Sequence, residues 1–466
     1  MLTQDLSVLE TRGLVRVTTD ESKPVVRFKH ALTREATYNS ILQSRRAELH
    51  CVVARVLAET HPQLDLELVL SIAEHQLYCR DDASMVDFLL PFASRLIYTG
   101  RSTSLTRLLT QADRGALTES QLRDVDMALA DAHAARGEYA AARELYESVL
   151  AYPLSEIQRA QLLHSLGAAA YHLQDNERAI EYQRAGLALA QDLGDIKLQA
   201  RTSGGLGLAY WNLGDYTHAQ EYLMASRALG EQIGNSSELA NAEYGLAGIY
   251  LDRSDFRLAM QYAERALQRY EQFGHSTLAV RALHILGACY YGLKDLTQAQ
   301  AVYERSIHLS RELGDRIALA LGLGNLAEVF TDRDELDNAV LFYADSIREL
   351  RTLEYASLLG YYLTALAGVE IRQARTQAPE SDVSRQLLET AQTHVDEAMQ
   401  IARQLHSPEN EGVALRVLAE LYAARGDRER ARSYARQAVV LLEPLGRALE
   451  LERARQVEQE IRSAIQ

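Results

Sequence analysis

The chain is 466 residues long, 47% hydrophobic and 24% charged, with 64 Asp/Glu against 49 Lys/Arg and a formal net charge of −15. That balance argues against general nucleic-acid binding, because a phosphate backbone is repelled by most of such a surface. Seven prolines and no apolar run of about 18 residues exclude a helical membrane span.

The first 60 residues depart from this acidity, with nine Lys/Arg against seven Asp/Glu. MLTQDLSVLETRG is charged and has no apolar stretch, so no secretory leader is expected. Val15 and Val17, a polar turn, then Val25, Val26 and Phe28 predict a short hairpin. Ala31 to Ser40 and Ser44 to Glu59 predict helices. Leu9, Gly13, Leu14 and Val15, then Phe28, His30, Ala31, Arg34, Glu35, Tyr38, Leu42, Arg45, Arg46, Leu49 and His50, resemble the stretch that follows the ATPase core in MalT-like (STAND) signalling ATPases. There a small winged-helix-like module leads into helical repeats, usually as a structural relay. A DNA-binding regulator using this module is the alternative reading, with Arg34, Arg45 and Arg46 as its thin basic supply beside Glu35 and Glu48. No Gly-x4-Gly-Lys-Ser/Thr phosphate loop occurs, so the nucleotide-binding core of such an ATPase would lie upstream or have been lost.

Residues 61–121 are helical in pattern but follow no fixed period and are expected to be degenerate repeats. LELVLSIAEHQLYCRDDASMVDFLLPFASRLIYTG predicts two helices broken at Asp81-Asp82, with the second kinked at Pro91.

From residue 122 a 40-residue step governs the chain. Gly167, Gly207, Ala247, Gly287 and Ala327 share it, as do Asp175, Asp215, Asp255, Asp295 and Glu335, and Ala179, Ala219, Ala259, Ala299 and Ala339. Fixed periods of this size mark solenoids, in which each unit buries its apolar face against its neighbours. Within one period, Leu206, Gly207 and Tyr210 lie on a first helix. Gly214-Asp215 breaks it, and Tyr216, Ala219, Leu223 and Ala225 begin a second. Gly214 supplies positive φ and Asp215 an N-cap acceptor. Gly234-Asn235, Gly274-His275 and Gly314-Asp315 end the second helices.

A small residue, an aromatic three positions later, a turn, then Ala and another small residue resembles the tetratricopeptide repeat (TPR), and the 40-residue spacing is most similar to its LGN/Pins-type form. The predicted fold is an all-α TPR solenoid, a right-handed superhelix of antiparallel helix pairs, with the winged-helix-like module at residues 1–60. Eight units are expected over residues 122–446, the seventh carrying an insertion near 373–385 around Pro379, and a capping helix over 447–466.

The resemblance implies a peptide or protein ligand in the concave groove lined by the first helices. Repeat register points Arg201, Trp211, Asn212, Asn241, Tyr244, Arg281, His284, Tyr291, Glu328 and Tyr361 inward. Asn325 keeps the family's ligand-binding Asn, and Arg201 and Arg281 hold its Arg position. Aromatics, Arg and Asn of this kind anchor peptides, and the two arginines suit an acidic or C-terminal-carboxylate segment. The expected function is a non-catalytic interaction scaffold, or the sensor arm of a STAND-type signalling system, acting in the cytoplasm. A small-ligand sensor is a further alternative.

No catalytic residues, metal or cofactor are expected. His164 and His172 share one unit and His284 lies in another, without metal-ligand spacing, and no nucleophile elbow occurs. Cys51, Cys79 and Cys289 stand at unrelated spacings and are expected to be buried thiols of a reducing compartment.

Overall fold

The computed structural model describes the chain apart from residues 1, 21–22, 62, 235, 273, 275, 354, 379–380, 446–447 and 464–466. Asn235, His275, Pro379, Arg447 and Ile465, which were given turn or capping roles above, lie outside the described residues. The architecture is an all-α solenoid of antiparallel helix pairs with a small winged-helix-like module at the N-terminal end. Two compact units divide it, residues 1–198 and 199–466.

The first unit opens with α1 (Leu2–Thr11), strands β1 (Val15–Asp20) and β2 (Lys23–Phe28), α2 (Ala31–Ser40) and α3 (Gln43–Thr60). The strands pair antiparallel, Val15 with Phe28 and Val17 with Val26, as the β-branched run predicts. This module is thinly packed: Leu32 and Leu42 are 80% and 77% exposed, and Ala54 is the buried residue of α3.

A disulfide between Cys51 and Cys79, with Cα atoms 5.0 Å apart, ties α3 to α4 (Leu66–Tyr78). This corrects the expectation of separate thiols. The two cysteines are 28 residues apart in sequence, and only the packing of α3 on α4 brings them together. Beside the bond, His50 Nδ1 lies 2.6 Å from His75 Nδ1. Cys289 does remain a buried thiol, pushed up to about 12 by burial.

α5 (Asp82–Leu89), α6 (Ala93–Tyr98) and α7 (Ser102–Gln111) follow. Asp81 caps α5 by accepting from the Ser84 N–H at 3.3 Å. Pro91 does more than kink a helix: it sits in a 3-10 turn, Leu90–Phe92, that separates α5 from α6. Proline has no N–H for the helical ladder, and its ring crowds the preceding turn. α8 (Glu119–Ala135), α9 (Tyr139–Val149), α10 (Glu156–His172) and α11 (Asn176–Asp192) complete the unit. Thr118 and Ser155 open α8 and α10 with capping boxes, each satisfying end N–H groups reciprocally.

The second unit is a run of helix pairs: α12 (Ile196–Asn212) with α13 (Tyr216–Gln232), α14 (Ser236–Asp252) with α15 (Phe256–Gln272), α16 (Ser276–Gly292) with α17 (Leu296–Leu313), α18 (Arg316–Asp332) with α19 (Leu336–Thr352), α20 (Ala356–Thr376) with α21 (Asp382–Gln404), and α22 (Pro408–Ala424) with α23 (Arg428–Leu442). α24 (Ala448–Ser463) packs on α22 and α23.

The hairpin turn repeats with the sequence step. Gly214 has φ +76°, and Ser254, Lys294 and Asp334, each 40 residues on, have φ of +61°, +63° and +63°. The left-handed position is thus imposed by the fold even where a side chain opposes it. The next residue caps the second helix: Asp215, Asp255 and Asp295 accept from the N–H groups of His218, Leu258 and Gln298 at 3.2, 3.3 and 3.1 Å. Glu335 makes no such bond, its carboxylate being one methylene further from the backbone.

Close helix approach explains the small residues. Ala219, Ala259, Ala299 and Ala339 are fully buried. A Cβ on Gly287 would meet the Tyr303 ring at 2.4 Å. The pair α20 and α21 is longer than its neighbours, at 21 and 23 residues, and Ser381 caps α21 through the Ser384 N–H at 3.1 Å. No helix among the described residues is long and apolar enough to cross a membrane.

Candidate functional site

The candidate residues all lie in the second unit, on the first helix of each pair. On α12, Trp211 donates its indole N–H to Asp252 of α14 at 2.7 Å and stands edge-on to Tyr244, centroids 6.0 Å apart. Gly248 makes that pose possible: a Cβ there would lie 2.1 Å from the indole ring. Arg201 approaches Glu238 of α14 at 4.0 Å, a loose pair. Asn212 and Arg281 are exposed. Burial pushes the Tyr244 hydroxyl up, and the charge of Arg281 pulls it partly back.

Three candidates make polar contacts to a neighbouring helix. Asn241 Oδ1 accepts from the Tyr270 hydroxyl of α15 at 2.9 Å. His284 is 8% exposed and lies 3.2 Å from Ser306 Oγ of α17; burial pushes it down to about 4. Asn325 Oδ1 accepts from the Tyr362 hydroxyl of α20 at 3.0 Å. These polar groups sit between packed helices, where each needs a partner.

Tyr291, Glu328 and Tyr361 come together around a cavity of about 540 Å³. Tyr361 donates to Glu328 Oε1 at 2.8 Å. The Glu328 charge, together with burial, holds the Tyr361 phenol well above its ordinary range, so it stays a donor. Glu328 itself is pushed up by burial, against the Tyr361 bond and the charge of Arg453, which lower it. Asp332, Arg372, Arg416, Glu420, Glu450 and Arg453 contribute charge to the same cavity. Arg372 donates to Asp334 at 2.8 Å and to the Thr331 carbonyl at 3.0 Å. Arg416 donates to Glu420 at 2.5 Å.

Register reasoning stopped at Tyr361 and missed the cavity residues of α22 and α24. The long α20–α21 pair breaks the 40-residue count, and the final helix reads as a solvated end. Arg416 and Glu420, four apart on one helix face, and Glu450 and Arg453, three apart, were the available signals.

Two family models, both of the tetratricopeptide repeat, match this sequence, one over residues 198–272 and 383–443 and the other over 280–312. The chain carries tetratricopeptide repeats. Among solved structures, the chain is similar to the signal transduction ATPase with numerous domains (STAND) protein with a tetratricopeptide repeat sensor from Pyrococcus horikoshii. That match has 16% identity, a TM-score of 0.56 and 88% of this chain covered. The chain spans 60% of the length of that protein. The apo form of the quorum sensor NprR from B. thuringiensis is also similar, with 16% identity and a TM-score of 0.53, covering 77% of this chain and 97% of NprR. At such identities the likeness concerns the fold. No curated protein matches the sequence.

Proposed function

We propose that the tetratricopeptide array is the non-catalytic sensor or regulatory arm of a STAND-type signalling system and binds a peptide or protein segment along its first helices. The observation that carries this reading is the cavity of about 540 Å³ framed by Tyr291, Glu328 and Tyr361. Aromatic walls with a few convergent charges are what an anchoring pocket requires. Arg201 and Arg281, flanking Trp211 and Tyr244, offer an acidic or carboxylate-terminated segment its counter-charge. On this reading the protein works in the cytoplasm.

The purified chain as bait in lysate of its own source, compared by mass spectrometry with an Arg201→Glu/Arg281→Glu variant of equal helicity, tests this. A protein captured by the first and lost with the second supports a groove partner. Identical capture by both removes the role given to the arginines. The cavity volume also falls in the range of small-molecule sites, and this favours a metabolite as the second reading. A thermal-shift screen answers it, because a ligand that binds only the folded state raises Tm.

A further inference from the structure

The last helix does more than close the stack. A cap needs to cover only the apolar face of the final pair, and one side of α24 does so. Ala454 is buried with Leu415, Leu418 and Leu442, and Ile461 with Ala419, Ala431 and Ala435. The other side of α24 reaches into the cavity through Glu450, Arg453 and Gln456, which line it together with Tyr291 of α16, four helix pairs back. Capping gives no reason for that reach.

We propose that α24 is a built-in occupant of the ligand groove, with Arg453 standing where a partner places a basic side chain. The partner is a helical segment of mixed charge that displaces α24. This rests on the reading of the groove as a ligand site and deepens it.

The chemistry at the contact fits a replaceable guest. The floor is made of phenols and a carboxylate, and a guanidinium suits both through its flat face and its donors. The charge of Arg453 acts on Glu328, Tyr291 and Tyr361. The contact is also incompletely satisfied. Arg453 donates to Glu450 Oε1 at 2.8 Å, which spends part of its capacity on its own helix. Arg416 Nε of the groove and Glu450 Oε2 of α24 itself are buried without a hydrogen-bond partner among the described residues. The first favours a guest that pairs it, and the second weakens the hold of α24, because water satisfies it on release. Anchorage by Ala454, Ile461 and the partly buried Leu451 and Val457 is small enough to be exchanged. Arg281 and Tyr291 are ten residues apart on α16, about 15 Å at 1.5 Å per residue. One segment can therefore place acidic groups at Arg281 and a basic group at the Tyr291 floor.

A labelled peptide of residues 448–463 is titrated into the full chain and into its Arg453→Glu variant, with circular dichroism showing equal helicity. A tethered helix competes at an effective concentration of about a millimolar, so the variant is expected to bind the peptide at least tenfold more tightly than the native chain. A peptide with the same Arg453→Glu change should bind the variant at least tenfold more weakly, and an Arg453→Lys chain, which keeps the charge but not the planar fork, should fall between the native chain and the variant. Equal affinity of both chains, or a peptide indifferent to its arginine, overturns the proposal. Hydrogen exchange of a Glu328→Gln/Tyr361→Phe chain is a second measure. The proposal requires α24 amides to exchange several-fold faster while those of α12 do not change, and unchanged α24 exchange refutes it. Loss of the bait result with a successful peptide titration removes the partner reading alone. A failed titration beside a groove-dependent partner removes only the role of α24.

Discussion

Tyr361 on α20 holds the carboxylate of Glu328 on α18 through a 2.8 Å hydrogen bond, so the floor of the cavity is itself a link between neighbouring helix pairs. The phenol satisfies one oxygen while burial opposes the charge.

Glu328→Gln keeps an acceptor for Tyr361 and removes the buried charge. Because burial raises the folded pKa of Glu328, its contribution favours the folded state below the unfolded carboxylate pKa and is lost as pH rises through the folded value. The variant should therefore gain stability near neutral pH, by about 1 kcal/mol, and gain nothing in acid. Urea midpoints at the two conditions measure it; an equal change at both refutes the buried-charge account.

His284 has the opposite sign. Its folded pKa of about 4 lies below the ordinary 6.5, so its stabilising contribution is complete above the ordinary value. That contribution is lost as pH falls from 6.5 toward 4. The loss should reach at most about 3 kcal/mol. His284→Gln, whatever constant cost it carries, should show a shallower decline over that interval in denaturant titrations.

Much of this fold was legible from residues that geometry leaves no choice about. Asp215, Asp255 and Asp295 cap helices, Ala219 and its equivalents sit where backbones meet, and Val15, Val17 and Phe28 pair in a hairpin. Legibility failed where the cause is a tertiary contact. Cys51 finds Cys79 only after α3 packs on α4. The bonds of Asn241 to Tyr270 and of Asn325 to Tyr362 join different helices, and no repeat register announces them. Arg453 enters the cavity by the path of α24, which no repeat period encodes.

The left-handed turns give a stability test at the edge of the cavity, where Lys294 also donates to Asp332 and Asp334 accepts from Arg372 in exposed pairs of small energetic weight. Lys294 and Asp334 hold φ of +63° with a side chain present. Glycine relieves that strain at some cost in unfolded-state entropy. Lys294→Gly and Asp334→Gly should each stabilise by about 0.5–1 kcal/mol, whereas Gly214→Ala should destabilise by a similar amount. Chemical denaturation of the three variants decides it.

Trp211 is the single tryptophan of the chain and reports on its own niche. Gly248→Ala places a methyl within 2.1 Å of the ring, which must swing out and surrender the Asp252 bond. A red-shifted emission and a loss of about 1–3 kcal/mol are expected. Native emission in a folded variant would show that the indole does not occupy this niche.

The Cys51–Cys79 bond turns the connection between α3 and α4 into a closed covalent loop. A protease that nicks the chain inside this loop leaves the winged-helix-like module attached, and only a reducing agent releases it. Two gels of one digest, run with and without reductant, would therefore separate cuts inside the ring from cuts elsewhere. In a thiol-rich compartment a chain already cut inside the loop would therefore lose the module, whereas an uncut chain would keep it through the backbone.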